Sequence, residues 1–292
     1  MKVQNIAVIG AGTMGRGIAY ASALGGFHTV LEDVSSSIVD KALLYIREAL
    51  DEGVKRGKLD SAAREAALAR ISTSHVVDEA IRDADLIIEA VPEELEMKLE
   101  LFTIFDKFAK PNAIFASNTS SLSISDFTDI VIARDRCIGM HFFNPVPKMR
   151  LVEIVRTPRT SDETVTTCCE VAHRMQKETV VVREAPGFIT SRINALIGNE
   201  AFPMLEAGIA SPEDIDKAIK LGLNHPMGPF EMVDLVGLDV RLKILEYLQA
   251  TLGEQYRPNP ILREYVAQGR LGRKAGRGVY EYPSSGAPPA KD

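Results

Sequence analysis

A histidine and a carboxylate stand twelve residues apart in the stretch GMHFFNPVPKMRLVEIV, Gly139 to Val155. His141 closes the short apolar run CIGM, and Glu153 interrupts the apolar run LVEIV. Imidazole titrates near neutral pH, so it can take and return a proton under working conditions. A lone carboxylate in an apolar strand is costly unless something pairs with it. A ring N–H would satisfy Glu153, fix the imidazole tautomer and stabilise the imidazolium form. Such a pair can strip the proton from an alcohol while hydride leaves the same carbon. The competing reading is a satisfied core histidine and a strand with one polar residue. His28, His75, His173 and His225 read as surface or core histidines.

The second stretch with chemistry in it is Gly10-Ala11-Gly12-Thr13-Met14-Gly15, a G-x-G-x-x-G pattern. Alone the pattern is weak. Here it follows the apolar run IAVIG and opens a small, apolar, helix-like segment to Leu24, the context a dinucleotide needs. Gly10 permits the tight turn, Gly12 lets backbone approach a pyrophosphate, and Gly15 allows close helix–strand packing. The phosphates would then rest on free N–H groups at the helix start. Asp33 follows the next strand run, 23 residues after Gly10. A carboxylate there accepts both ribose hydroxyls and repels a 2′-phosphate, which favours NAD over NADP. Asp33 also reads as a cap for the helix that begins near Ser35. Ser120, in SNTSSLSIS (117–125), reads either as a hydroxyl aimed at a ligand or as an ordinary polar loop or cap.

These groups need a scaffold, and the first half of the chain alternates strand and helix signals. The strand runs are IAVIG, HTVLED, ADLIIEAV, NAIFASN, CIGMHFF, LVEIV and TVVVRE, and helical patterns cover Gly15–Leu24, Ile38–Gly57 and Lys98–Phe108. That alternation predicts an α/β fold, a parallel sheet covered on both faces in a Rossmann-type dinucleotide-binding domain, with ligands at the carboxyl ends of the strands. After EAPGF the pattern turns helical over Ile189–Gly208, SPEDIDKAIKLG, Phe230–Leu252 and Ile261–Gln268. Ser211 is placed as an N-cap, with Pro212 at the first helical position, Asp214 completing a capping-box pattern and Gly222 ending the helix. The boundary falls near Pro186, giving domains over 1–185 and 186–292, the second all-α, with a tail from about 283 that reads as disordered.

At 292 residues the chain has room for two domains. Its net charge of −6 argues against a general nucleic-acid or anionic-membrane binder. Cys137, Cys168 and Cys169 offer neither a disulfide framework nor metal-ligand spacing, so no metal site is expected and the compartment reads as reducing. The start, MKVQNIAVIGAG, is not a signal peptide, and no run approaches the ~20 apolar residues of a membrane helix. A cytoplasmic location follows as the expectation.

GAGTMG, SNTSSLSIS, GMHFFNPVP, LVEIV, APGFITSR, HPMGPFEMVDLVGLD and LGRKAGRGVYEY, in this order and spacing, resemble the L-3-hydroxyacyl-CoA dehydrogenase family, its bacterial 3-hydroxybutyryl-CoA branch most of all. The resemblance runs from Ile6 to about Tyr282. It implies reversible NAD-linked oxidation of (S)-3-hydroxyacyl-CoA to 3-oxoacyl-CoA. By position, His141 resembles the family's base, Glu153 its partner and Ser120 the serine bonded to the substrate's 3-oxygen. Asn144 resembles the asparagine near the nicotinamide end. Glu93 and Lys98 look like residues near the cofactor ribose. One position departs: the family pattern is PGF-x-x-N-R, and here Ser191 fills the asparagine slot that normally helps orient the substrate carbonyl, with Asn194 one turn on. Lys55 and Arg56, in KRGK, match a basic helix end that contacts CoA phosphates in the family; a solvated helix end with dipole-complementing cations is the alternative. The basic RLGRKAGRG stretch reads as a turn near the C-terminal helices. Pairing of two copies through the helical domain is implied as well. The competing readings are a dehydrogenase of a free hydroxy or sugar acid, of gulonate type, and an NAD-binding structural protein; KRGK opposes the first, and Ser120, His141 and Glu153 together oppose the second.

Overall fold

The computed structural model describes residues 2–120 and 122–282. The expected disordered tail lies outside the described residues. The chain divides into two compact units between Ala185 and Pro186.

The first unit opens with β1 (Asn5–Ile9), α1 (Thr13–Leu24), β2 (His28–Glu32), α2 (Ser36–Lys55), α3 (Ser61–Ala69), β3 (Ile71–Ser74), α4 (Val77–Ile81) and β4 (Leu86–Glu89). It continues through α5 (Leu95–Phe108), β5 (Ile114–Ser117), α6 (Ile124–Thr128), β6 (Cys137–Phe142), β7 (Leu151–Arg156), α7 (Asp162–Arg174) and β8 (Glu178–Arg183). The eight strands form one sheet in the order β3-β2-β1-β4-β5-β6-β7-β8. The order reverses between β1 and β4, the switch point where open α/β sheets bind ligands. Strands buried on both faces read as continuous apolar runs; β4 and β5 are buried at all four positions each.

The sheet corrects the expectation of a wholly parallel arrangement. β6 and β7 are antiparallel, and β8 then runs parallel to β7. The connection between β6 and β7 spans only residues 143–150, too short for a crossover back to a parallel strand. A hairpin is the only closure that length permits. β3 and α3 lie where no strand or helix was expected. β3 is a short edge strand, ISTS, with no fully buried position, so it carries no apolar signal.

The second unit is all-α: α8 (Thr190–Glu206), α9 (Pro212–Gly222), α10 (Pro229–Val236), α11 (Leu238–Leu252) and α12 (Pro260–Ala267). Ser211 caps α9 as expected, its hydroxyl accepting from the Asp214 N–H, with Pro212 at the first helical position. The long helical pattern from Phe230 breaks at Gly237, where φ is +101°. Two buried aspartates tie this unit together. Asp216 accepts from the Phe230 and Glu231 N–H groups (2.8 and 2.9 Å) and the Tyr280 hydroxyl (2.8 Å). Asp234 accepts from the Val279 and Tyr280 N–H groups (2.8 and 2.9 Å) and the Tyr282 hydroxyl (2.9 Å). The basic GRKAGRG segment is therefore a latch: a Cβ on Gly278 would lie 2.1 Å from Asp234 Oδ1. A carboxylate with three donors is well satisfied when buried.

Candidate functional site

His141 and Glu153 meet because β6 and β7 are antiparallel. They are directly opposed residues in the ladder, and opposed side chains share one face at short range. His141 Nδ1 lies 2.7 Å from Glu153 Oε2, with the imidazole 6% exposed and Glu153 fully buried. An ionised Glu153 accepts the Nδ1 proton, which leaves Nε2 as the basic nitrogen. Phe143 covers the imidazole, ring centroids 4.5 Å apart. Removing one partner from such a buried pair strands the other, at a cost of about 3–5 kcal/mol. Asn118, not singled out in the sequence, fixes the strand from the other side: its side-chain oxygen accepts from the Phe142 N–H at 2.9 Å.

The glycine loop is built as its pattern predicts. Gly10 sits at φ +96°, and a Cβ there would come within 2.8 Å of the Ala90 carbonyl oxygen. A Cβ on Gly15 would lie 1.7 Å from the Gly10 oxygen, so the helix start can seat on the turn only without one. A Cβ on Gly12 would meet nothing within 4 Å. That face is open, and α1 begins there at Thr13 and Met14 with no side-chain cap and no acidic residue in its first turn. Unsatisfied N–H groups at an uncapped helix start suit a pyrophosphate.

Asp33 follows β2, which pairs with β1 so that Glu32 faces Ile9. Both of its carboxylate oxygens accept backbone hydrogen bonds. Oδ2 accepts from the Ala11 N–H in the glycine loop, and Oδ1 accepts from the Ser35 N–H ahead of α2, both at 3.0 Å. The residues present therefore fit a dinucleotide: an open anion cradle with a carboxylate fixed beside it.

Sequence reasoning missed the buried hub behind this loop. Glu89 ends β4 fully buried and accepts from Lys98 Nζ with both oxygens at 2.8 Å, from the Val91 N–H at 2.8 Å and from the Ser117 hydroxyl at 2.5 Å. A carboxylate closing the apolar run ADLIIE was the available signal, since such a group demands a partner. Lys98 is 1% exposed, so its ammonium faces inward. It also lies 3.3 Å from Glu93 Oε2. Glu93 Oε1 in turn accepts from the Thr119 hydroxyl (2.6 Å) and the Ser120 N–H (3.0 Å). The lysine thus acts on the Ser120 loop through Glu93. Glu184, at the end of the first unit, accepts from the Ser123 hydroxyl and the Ser125 N–H and steadies the same loop (3.1 and 2.8 Å).

Asn144 is exposed two residues beyond β6, ahead of a cis bond to Pro145. Its loop is held by Lys177, 7% exposed, which donates to the Val146 and Met149 carbonyls at 2.5 and 2.8 Å. Burial lowers the Lys177 pKa from its ordinary value. Gly17 of α1 packs against Val146, where a Cβ would come within 2.8 Å. Lys55 and Arg56 end α2 and are exposed. Gly57 at φ +67° and the bonds Gly57 N–H to Val54 and Lys58 N–H to Gly53 close the helix in a Schellman turn. Arg56 pairs with Glu52 at 2.5 Å, so part of its charge is locally answered. Ser191 lies in the first turn of α8, half-buried, in the second unit. Among the described residues there is no cluster of three or more His, Cys, Asp or Glu side chains that could hold a metal ion, and the three cysteines are free.

A dinucleotide cradle at the switch point of a sheet that also buries a His–Glu pair defines a dehydrogenase. Comparison with known proteins makes the class specific. The model of the 3-hydroxyacyl-CoA dehydrogenase NAD-binding domain matches residues 5–185, and that of the 3-hydroxyacyl-CoA dehydrogenase C-terminal domain matches 187–282. The chain belongs to the 3-hydroxyacyl-CoA dehydrogenase family and is an NAD-dependent oxidoreductase. It is 41% identical to the 3-hydroxybutyryl-CoA dehydrogenase of Clostridioides difficile, over 95% of this chain and 99% of that one. It is 40% identical to the human mitochondrial hydroxyacyl-coenzyme A dehydrogenase, over 96% and 91%. The crystal structure of the (S)-3-hydroxybutyryl-CoA dehydrogenase of Ralstonia eutropha is similar with a TM-score of 0.93 at 42% identity, covering 97% of this chain and all of that one.

Proposed function

We propose that the chain oxidises (S)-3-hydroxyacyl-CoA thioesters reversibly to 3-oxoacyl-CoA, with 3-hydroxybutyryl-CoA among its substrates. The 2.7 Å contact between His141 and Glu153 carries this reading. Nδ1 is committed to the carboxylate, so Nε2 takes the 3-hydroxyl proton, and Glu153 stabilises the imidazolium that results. NAD, when bound, supplies the hydride acceptor. Ser120 bonds the 3-oxygen and Asn144 contacts the nicotinamide end. Gly10, Ala11, Gly12, Thr13, Met14 and Gly15 hold the pyrophosphate, with Asp33 on the adenosine ribose and Glu93, supported by Lys98, near the other.

Lys55 and Arg56 are the proposed CoA phosphate contacts. Arg56→Glu is expected to raise KM for acetoacetyl-CoA and to spare a pantetheine-truncated thioester. Equal effects on both would remove Arg56 from the phosphate. The reading as a whole is tested by NADH oxidation with acetoacetyl-CoA beside free acetoacetate. Turnover of the thioester alone is expected; turnover of the free acid alone would move the chain to the gulonate-type reading. We also propose a homodimer formed through the helical unit, and a cytoplasmic location. Exposed apolar side chains in that unit support the dimer: Ile209, Leu221 and Leu223 are 70%, 76% and 63% exposed. In the described residues no helix is long and apolar enough to cross a membrane.

A further inference from the structure

β5 stops short of β6 at the end of the sheet that carries the chemistry. Their pairing ends at Ser117 opposite Gly139, while β6 runs on through Met140, His141 and Phe142. Past that rung the sheet holds β6 from the β7 side, where His141 faces Glu153 and Phe142 faces Val152. Phe142 is 2% exposed. An N–H at that depth must find an acceptor. The Asn118 side-chain oxygen supplies it at 2.9 Å. An amide carbonyl there copies the strand carbonyl that β5 no longer offers. Asn118 is itself held fast. Its own N–H donates to the Glu89 carbonyl at 2.9 Å. The Ser117 hydroxyl before it donates to Glu89 Oε2 at 2.5 Å and accepts from the Thr119 N–H at 3.1 Å. The Ser120 N–H then donates to Glu93 Oε1 at 3.0 Å. The segment that presents the Ser120 hydroxyl is therefore built out from the end of β4. One side-chain amide ties it to the strand end that presents His141.

We infer that Asn118 is a positioning residue: by holding the Phe142 N–H, its side-chain carbonyl sets the separation between the Ser120 hydroxyl and the His141 imidazole. This rests on the thioester reading above, in which Ser120 bonds the 3-oxygen and His141 takes its proton. Both groups must reach one and the same oxygen. A shift of about 1 Å at the strand end is then felt in the proton-transfer step rather than in binding.

The experiment measures kcat and KM for acetoacetyl-CoA in wild type, Asn118→Leu, Asn118→Asp, Ser120→Ala and the double variant Asn118→Leu/Ser120→Ala, with NADH affinity on the same samples. Leucine keeps the size and removes the acceptor; aspartate keeps an acceptor oxygen. Asn118→Leu is expected to lower kcat by about 10–100-fold, with KM and NADH affinity near wild type. Asn118→Asp is expected to recover most of that loss. In the Ser120→Ala background Asn118→Leu is expected to cost distinctly less, because the separation it guards has lost one of its two ends. A side chain that served the fold alone would lower the melting temperature and cost the same factor in both backgrounds. Asn118→Ala adds no bulk, must show the same loss, and decides the matter if Asn118→Leu does not fold. A wild-type kcat in Asn118→Leu, or equal losses with and without Ser120, would overturn the inference alone. Wild type without turnover of the thioester would overturn it together with the reading it rests on.

Discussion

At the residue scale, one carboxyl group beside the cofactor cradle is buried with an oxygen unanswered. Glu32 is 2% exposed, and one of its carboxyl oxygens is buried without a hydrogen bond. Burial first, and the neighbouring Asp33 charge second, push its pKa up from 4.5 to about 7. In the unfolded chain the group ionises near its ordinary value. Between those two values the folded form keeps a proton that the unfolded form has shed. Stability therefore falls as pH rises through that window and levels off above it. Glu32→Gln keeps the shape and removes the titration. Relative to wild type, it is expected to melt higher at about pH 8 and nearly equally at about pH 5. Melting curves that track wild type at both would show that Glu32 is not the group responsible. The Asp33 and Glu153 carboxylates differ from Glu32 because each accepts a donor in place of water.

At the element scale, the site depends on how strand ends and loops are tied. Among the described residues Lys177 makes no ion pair with a carboxylate; it spends its ammonium on two carbonyls of the loop that carries Asn144. Lys177→Met is expected to lower kcat by about 10–100-fold, the cost of slight misplacement near the reacting atoms, and Lys177→Arg to restore part of it. Full activity in Lys177→Met would show that the loop holds itself. Much of this level was legible in the sequence. The glycine loop, β2 with Asp33 at its end, and the α9 cap all announced themselves through residue types with few alternative uses. The direction of β7 did not, because a buried run such as LVEIV reads alike in either direction. The eight-residue spacing between β6 and β7 held that information. The Glu89–Lys98 pair was hidden for another reason: nothing in a sequence says that a helical lysine points inward. β3 had no apolar pattern to reveal it.

At the scale of the whole molecule, two units with separate cores divide the work. The sheet unit holds the cradle, the His–Glu pair and Ser120; the helical unit is latched by Asp216 and Asp234 and leaves apolar side chains at its surface. The net charge of −6 makes the chain acidic as a whole, with KRGK as a local basic exception. If two copies pair through the helical unit, Leu221→Glu with Leu223→Glu should place four charges in the contact and separate them. Light scattering is expected to give twice the 31.9 kDa chain mass for wild type and the single mass for the variant. A wild type at the single mass would contradict the dimer.

The central claim is that the buried His141–Glu153 pair moves the substrate proton. The most direct test is the rate of NADH oxidation with acetoacetyl-CoA in wild type and His141→Ala, with NADH affinity measured on the same samples. The account predicts a loss of about 10²–10⁴-fold in kcat, the usual worth of a general acid–base group, with NADH binding retained. A variant that turns over at the wild-type rate would contradict it.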